Sequence, residues 1–143
     1  MRRAVAVAVA AIALGCDGAT ERDRLTLLRV VALDQEASRA LHGADELVAK
    51  GRAKEASEVL ARDARPKVER AAAELTAHEP TSSWGKQRAG DVRAVLRARR
   101  ESLDAYAAAL ASDDVQRVID ALEAQKPVEA RAMAVAAAVR AGP

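Results

Sequence analysis

The sequence contains almost no aromatic residues: Phe is absent, and Trp84 and Tyr106 are the only aromatic side chains in 143 residues. A core without large rings has to be built from aliphatic side chains, and Ala is by far the commonest of these. Ala, Leu, Glu and Arg in quantity favour helix over strand. The composition therefore predicts an all-α fold with a thin core, because each buried Ala removes little apolar surface from water.

Residues with reactive or metal-binding side chains are also scarce. The single cysteine excludes an intramolecular disulfide, and the two histidines, His42 and His78, belong to no zinc or haem motif and are expected to be solvated near helix ends. Ser82 and Ser83 lack the Gly-x-Ser-x-Gly context of a nucleophile, so a capping role is expected there. The sequence predicts no catalytic site, no metal and no cofactor, and it indicates a protein that is not an enzyme.

The positive net charge does not indicate a nucleic-acid partner. The formal charge is +2, but Arg2 and Arg3 at the extreme N-terminus account for it. Without them the basic residues fall from 23 to 21, which equals the number of acidic residues. Binding to nucleic acid needs a concentrated basic surface, and a balanced chain gives no reason to expect one.

The first fifteen residues have the pattern of an export signal. Arg2 and Arg3 are followed by an uncharged, apolar run from Ala4 to Gly15. As a helix this run is about 18 Å long, whereas a bilayer core of about 30 Å needs around 20 residues. A basic start, a short apolar centre and small residues at the end predict a signal peptide over residues 1–15.

The signal ends in Ala13-Leu14-Gly15-Cys16. This ending resembles a bacterial lipoprotein signal, in which cleavage before a cysteine accompanies its attachment to diacylglycerol. Gly15 and Cys16 match that family, whereas Leu14 is bulkier than usual and Ala13 stands where Leu is preferred. The resemblance covers the first 16 residues and implies an acylated (palmitate-type) lipoprotein anchored through Cys16, on the periplasmic side of the inner or the outer membrane. Two or three acyl chains on one residue give stable anchoring.

A second interpretation of the leader stays open. Ala11-Ile12-Ala13 is also a small-x-small site for ordinary signal peptidase. Cleavage there leaves Cys16 as a free thiol in a soluble periplasmic protein.

Beyond the leader, residues 16–22 are predicted to be a lipid-anchored tether and residues 23–143 a helical bundle domain. Apolar residues recur at spacings of three and four in four stretches. The stretches cover about 21–50, 53–78, 84–111 and 115 to the end. Four stretches of similar length with short connections predict an up-down-up-down four-helix bundle of two helical hairpins, preceded by an N-terminal signal helix.

The expected helix ends follow from capping residues. Thr20 is the predicted N-cap of the first stretch and Ser83 that of the third, while either Ser112 or Asp113 caps the fourth. Gly51 is the predicted stop of the first stretch.

Two prolines are expected to disturb the helices that contain them. Pro66 lies inside the second stretch, which predicts a kink or break near Asp63–Arg65. In the fourth stretch the apolar stripe shifts phase at Pro127, which predicts an interruption there. Each proline follows a basic residue, Arg65 or Lys126, a short likeness that hints at a duplicated hairpin.

One charged residue lies on the apolar row of the third stretch. Leucines recur every seven residues from Leu96 to Leu110, and Arg99 shares the buried side of the helix with them. A buried arginine needs a carboxylate partner. Asp34 and Asp63 are the candidates, and a register-fixing ion pair is expected in preference to a catalytic role.

The loop before the third stretch is a candidate contact surface. If the first helix leaves the membrane, the second brings the chain back to it, next to Trp84, Lys86 and Arg88. Trp and basic residues favour the interface of an anionic membrane, so these three are predicted to touch the membrane or an adjacent envelope partner. The alternative is that Trp84 only covers the end of the bundle.

These features together favour a lipid-anchored helical bundle of the bacterial cell envelope, acting as an interaction or structural module. Its partners are then the membrane and possible envelope proteins. The alternative is a soluble periplasmic protein, chaperone-like or binding a small ligand inside a bundle opened by Pro66 and Pro127.

Overall fold

The computed structural model describes the backbone of residues 7–112 and 114–143, and the side chains of residues 18–112 and 114–143. The predicted signal peptide and the Cys16 side chain lie outside the residues whose side chains are described. The described residues form helices and no strand, which confirms the all-α prediction. In chain order they are α1 (Val7–Ala49), α2 (Ala53–Val59), a π-helical turn (Leu60–Ala64), α3 (Arg65–Ala77), α4 (Ser83–Ala111) and α5 (Val115–Ala141).

The end of the first predicted stretch is confirmed, whereas its start is different. α1 stops at Ala49, and Gly51 follows in the left-handed region at φ 73°, which a glycine adopts without steric cost. The predicted N-cap Thr20 lies inside α1, so that prediction was wrong.

The predicted caps of α4 and α5 are shifted by one or two residues. Ser82, with extended backbone, accepts a hydrogen bond from the Gly85 amide, so Ser82 rather than Ser83 caps α4. Asp114 accepts from the amides of Gln116 and Arg117 and caps α5 in place of Ser112. Asp113, the other predicted cap, lies outside the described residues. In both helices the capping residue is the one that has an extended backbone and directly precedes the first helical turn.

Pro66 interrupts the second stretch close to the predicted point. α2 runs directly into the π-helical turn, and the Arg65 amide donates to the carbonyl of Leu60, five residues earlier. Proline cannot donate to the carbonyl four residues before it, and its ring crowds that carbonyl. The wider π turn accommodates the ring and lets α3 continue at once.

Pro127 does not interrupt α5, contrary to expectation. The helix continues through it to Ala141. Pro127 and Glu123, whose carbonyl the ring displaces, are both exposed. Water can therefore solvate the freed carbonyl, and the helix has no need to change its winding.

The helices pack around a central pair. α1 and α4 contact each other, α2 and α3 lie against both on one side, and α5 lies against both on the other. Within the described residues α5 does not contact α2 or α3. One core cluster joins all of them. Its larger members are Leu27, Val30, Leu41, Leu60, Val68, Leu75, Val92, Leu96, Leu103, Tyr106 and Val139.

Candidate functional site

Arg99 lies at the centre of a buried ion network that joins α1, α4 and α5. Its side chain is 2% exposed. Nε and Nη2 donate to the two carboxylate oxygens of Asp34, each at 3.0 Å, and Nη1 donates to Glu129 Oε2 at 2.6 Å. The predicted pair with Asp34 is confirmed. The other candidate, Asp63, lies on the π turn and is exposed, so it is not a partner of Arg99.

The network favours the charged forms of Arg99 and Glu129. Burial alone would lower the pKa of Arg99, but its hydrogen bonds to Asp34 and Glu129 raise it overall. Burial likewise raises the pKa of Glu129, but the hydrogen bond and charge of Arg99, together with Ser38 and His42, outweigh this and lower it. Two carboxylates share one guanidinium, so the network carries a net negative charge.

A cleft opens beside this network between α1 and α5. It has two adjoining parts of about 300 Å³ and 480 Å³, which share His42, Glu129 and Met133. Asp34 and Arg99 form part of the smaller cavity wall. The larger part, which we call the α1–α5 cleft, is lined by Leu41, His42, Asp45, Leu122, Gln125, Lys126, Glu129, Ala130 and Met133.

Three polar atoms around this cleft have no hydrogen-bond partner within the described residues. They are Asp45 Oδ1, Gln125 Nε2 and Tyr106 Oη. Tyr106 is fully buried, and its hydroxyl is close enough to the Asp45 carboxylate to affect the pKa of both groups, although neither Tyr106 Oη nor Asp45 Oδ1 has a partner at normal hydrogen-bond geometry within the described residues. Burial raises the pKa of Asp45, only partly offset by Tyr106 and His42, and burial beside Asp45 raises the pKa of Tyr106. Unpaired polar groups at this depth are costly.

The histidines are placed much as expected. Both are exposed. His78 Nδ1 lies 3.5 Å from Glu74 Oε1, one turn earlier on α3, and His42 lies on the cleft wall. In the described part of the chain, no three histidine, cysteine or acidic side chains come together in a way that could hold a metal ion.

A second polar cluster joins Asp23 of α1 to the loop before α4. Asp23 is 6% exposed. Its Oδ2 accepts hydrogen bonds from the Thr81 amide at 3.0 Å, the Ser82 amide at 2.7 Å and the Ser82 hydroxyl at 2.6 Å. Burial raises the pKa of Asp23, but the bonds from Ser82 and Thr81 outweigh this and lower it. The Ser82 hydroxyl also caps α4, so one carboxylate fixes where α4 begins.

The residues predicted to contact a membrane or partner lie in the first turns of α4. Trp84 is half-buried and packs against the core cluster. Lys86 is exposed, and Arg88 Nη1 lies 3.0 Å from Asp91 Oδ2. Because Asp23 holds Thr81 and Ser82, these side chains sit at the same end of the bundle as the part of α1 that follows Cys16.

Sequence reasoning missed Glu129, Asp23 and the Asp45–Tyr106 pair. Glu129 lies one turn before Ala132, on the row of side chains that α5 buries. If the buried row of α5 is assigned from its alanines, Glu129 is identified as a charged residue within an apolar row. Asp23 lies one turn before Leu27 and gives the same signal on α1. The Asp45–Tyr106 pair leaves no such signal, since neither residue interrupts an apolar row.

No family model, no curated protein and no solved structure matches this chain. Among the described helices, none has the length and apolarity needed to cross a membrane. Its function is therefore inferred from its own residues.

Proposed function

We propose that the protein is a lipid-anchored helical bundle of the bacterial cell envelope and serves as a non-enzymatic interaction or structural module. The leader of residues 1–15 is the export signal, which forms the signal helix, and Cys16 carries the lipid. The observation that best supports a membrane-facing arrangement is the Asp23 cluster. It places the loop before α4 beside the part of the chain that emerges from the anchor.

We further propose the up-down-up-down topology. Two contacts at one end of the bundle support it. Asp23 on α1 binds Thr81 and Ser82, where α3 has ended and α4 begins. Arg24 Nη2 donates to the carbonyl of Arg140, in the last turn of α5, at 3.3 Å. The part of α1 around Asp23 and Arg24, the α3–α4 loop and the end of α5 then share the membrane-proximal end.

The anchor is tested by the intact mass of the protein extracted from the membranes of its own host. A chain that starts at Cys16 with added diacylglycerol and acyl mass, lost in Cys16→Ala, is the expected result. Gly18→Ala is the matched control, since a Cβ there meets nothing within 4 Å. An unmodified chain that starts near Leu14 would overturn the anchor.

The membrane contact of Trp84, Lys86 and Arg88 is tested separately. Trp84 is the only tryptophan, so the emission of the lipidated protein reports on it alone. We expect a blue shift on anionic vesicles that weakens in Lys86→Gln, while Lys54→Gln on α2 behaves as the unaltered protein. Emission that does not change on vesicles contradicts the contact without bearing on the lipid.

A soluble periplasmic protein that binds a small ligand is the second candidate, and the α1–α5 cleft favours it. The cleft is lined by charged and amide groups as well as aliphatic ones. Such a lining suits a small polar molecule better than the apolar segments that a chaperone binds.

A further inference from the structure

The α1–α5 cleft has the size and mixed lining of a small-molecule site. Its volume of about 480 Å³ falls within the range of ligand pockets in proteins. Leu122 and Met133 supply aliphatic surface, and Met133 is 66% exposed although it is large and apolar. A ligand that covered Met133 would remove that surface from water.

The charge of the cleft is negative. Asp45 has no ion-pair partner within the described residues, and Glu129 shares Arg99 with Asp34. Lys126 is the one cation on this wall, and its Nζ lies 2.7 Å from Glu123 on its own helix. A half-buried carboxylate without a counter-ion is unfavourable, and a bound cation would offset that cost.

Polar groups without a full set of partners border the cleft. Tyr106 is 0% exposed, and its hydroxyl interacts with Asp45, which lines the cleft. Gln125 brings an amide to the same wall, and an amide can turn either its oxygen or its nitrogen toward a ligand. Asp45 Oδ1 is itself closed to solvent, so a cationic nitrogen in the cleft would pair with the Asp45 carboxylate through its accessible part.

We propose that the α1–α5 cleft binds a small organic cation, an amine with a short apolar body. The cationic nitrogen pairs with Asp45 and Glu129, and the apolar body lies against Leu122 and Met133. This inference depends on the cleft alone and holds whether or not Cys16 carries a lipid.

Titration calorimetry at neutral pH tests the proposal, with the protein purified as its host produces it. The probe is 2-phenylethylamine, and its uncharged match is 2-phenylethanol. We expect the amine to bind at least about tenfold more tightly than the alcohol, the difference that one partly desolvated ion pair provides. Asp45→Asn should remove that preference and leave the weak binding of the alcohol unchanged.

Two controls make the result specific. Asp63→Asn makes the same substitution on the exposed π turn, away from the cleft, and should bind the amine as the unaltered protein does. In ¹⁵N-labelled protein, the Gln125 side-chain amide signals should move on titration with the amine. The proposal is overturned if the amine does not bind, if amine and alcohol bind equally, if Asp45→Asn binds the amine normally, or if the Gln125 signals stay fixed.

Discussion

The helices on the two sides of the α1–α4 pair both contain a proline, yet they are held by different interactions. The second stretch, from α2 through α3, buries Leu60, Val68 and Leu75. α5 buries three alanines and Val139, and reaches Arg99 through Glu129. A fully buried Leu contributes about 1.5–3 kcal/mol, several times what an Ala can. The α3 side therefore buries larger apolar side chains and has exposed ion pairs to α1 and α4, whereas α5 buries smaller side chains and joins an ion pair whose arginine is buried.

The buried polar atoms that lack a hydrogen-bond partner are also distributed unequally between the two sides. The four buried side-chain atoms without a partner in the described residues belong to Asp45 on α1, Ser102 and Tyr106 on α4, and Gln125 on α5. The α2–α3 side contributes none of them. Natural proteins depart from well-satisfied packing chiefly where function requires it, and this difference directs attention to the α5 side.

The largest effect is expected from breaking the polar link to α5. Arg99→Met leaves Asp34 buried without a counter-ion and releases Glu129, so the free energy of unfolding should fall by about 3–5 kcal/mol. Urea unfolding followed by circular dichroism measures it. Arg97→Met, two residues away and exposed, should change stability by less than about 0.5 kcal/mol. A loss below about 1 kcal/mol for Arg99→Met would show that α5 does not depend on the network.

A matched pair of leucines tests the comparison directly. Leu75 on α3 is 1% exposed, and Leu122 on α5 is half-buried at the cleft. We expect Leu75→Ala to cost about 2–5 kcal/mol and Leu122→Ala less than about 2 kcal/mol, measured by the same unfolding experiment. Equal costs would mean that the apolar packing of the two sides is alike.

How much of the structure the sequence predicts depends on how clearly large apolar residues define the buried row of each helix. Leu96, Arg99 and Leu103 define a clear buried row, so the need for a carboxylate opposite Arg99 is visible without a structure. α5 is rich in Ala, which either face of a helix tolerates, so the sequence alone does not mark the buried row on which Glu129 lies.

The Asp23 cluster was beyond local reasoning for another reason. Asp23 and Thr81 are separated by 58 positions, and capping patterns cover only one turn of helix. The same limit hid the choice of Ser82 over Ser83, since the partner that orients the Ser82 hydroxyl comes from α1.

The Asp23 cluster belongs to the α1–α4 pair that both sides share, and two glycines of α4 test it. A Cβ on Gly85 would lie 2.7 Å from Asp23 Cβ and Cγ, too close without movement of α1. Gly85→Ala should cost about 1–3 kcal/mol. Gly90 meets nothing within 4 Å, so Gly90→Ala should add about 0.5–1 kcal/mol. Thermal unfolding measures the stability of both variants. A Gly85→Ala variant that is more stable than the unaltered protein would show that Asp23 and α4 are not closely packed.

The two prolines sharpen the contrast further. Pro127 costs α5 a backbone hydrogen bond with no change in winding, so Pro127→Ala should stabilise the protein by about 1–2 kcal/mol after the greater freedom of the unfolded chain is allowed for. The π turn already accommodates Pro66, so Pro66→Ala should gain less than about 1 kcal/mol. Calorimetric melting of the two variants compares them, and a larger gain at Pro66 would mean that the π turn is strained.

The smallest expected effect is on the pH dependence of stability, to which Asp45 and Glu129 in the cleft should contribute with opposite signs. Burial raises the pKa of Asp45 in the folded protein, so its contribution to stability is greatest below the unfolded pKa and is lost as pH rises through the folded one. Asp45→Asn should therefore become more stable relative to the unaltered protein as pH rises.

Glu129 should behave in the reverse way. Its folded pKa is lowered through Arg99, so its contribution is present above the unfolded pKa and disappears as pH falls through the folded one. Glu129→Gln should be destabilised at neutral pH and approach the unaltered protein in acid. Urea unfolding between pH 3 and pH 8, a range that spans ordinary carboxyl values of about 4, separates the two. Parallel pH profiles for both variants would mean that Asp45 and Glu129 share one environment, and the distinction between an unpaired and a paired carboxylate in the cleft would be lost.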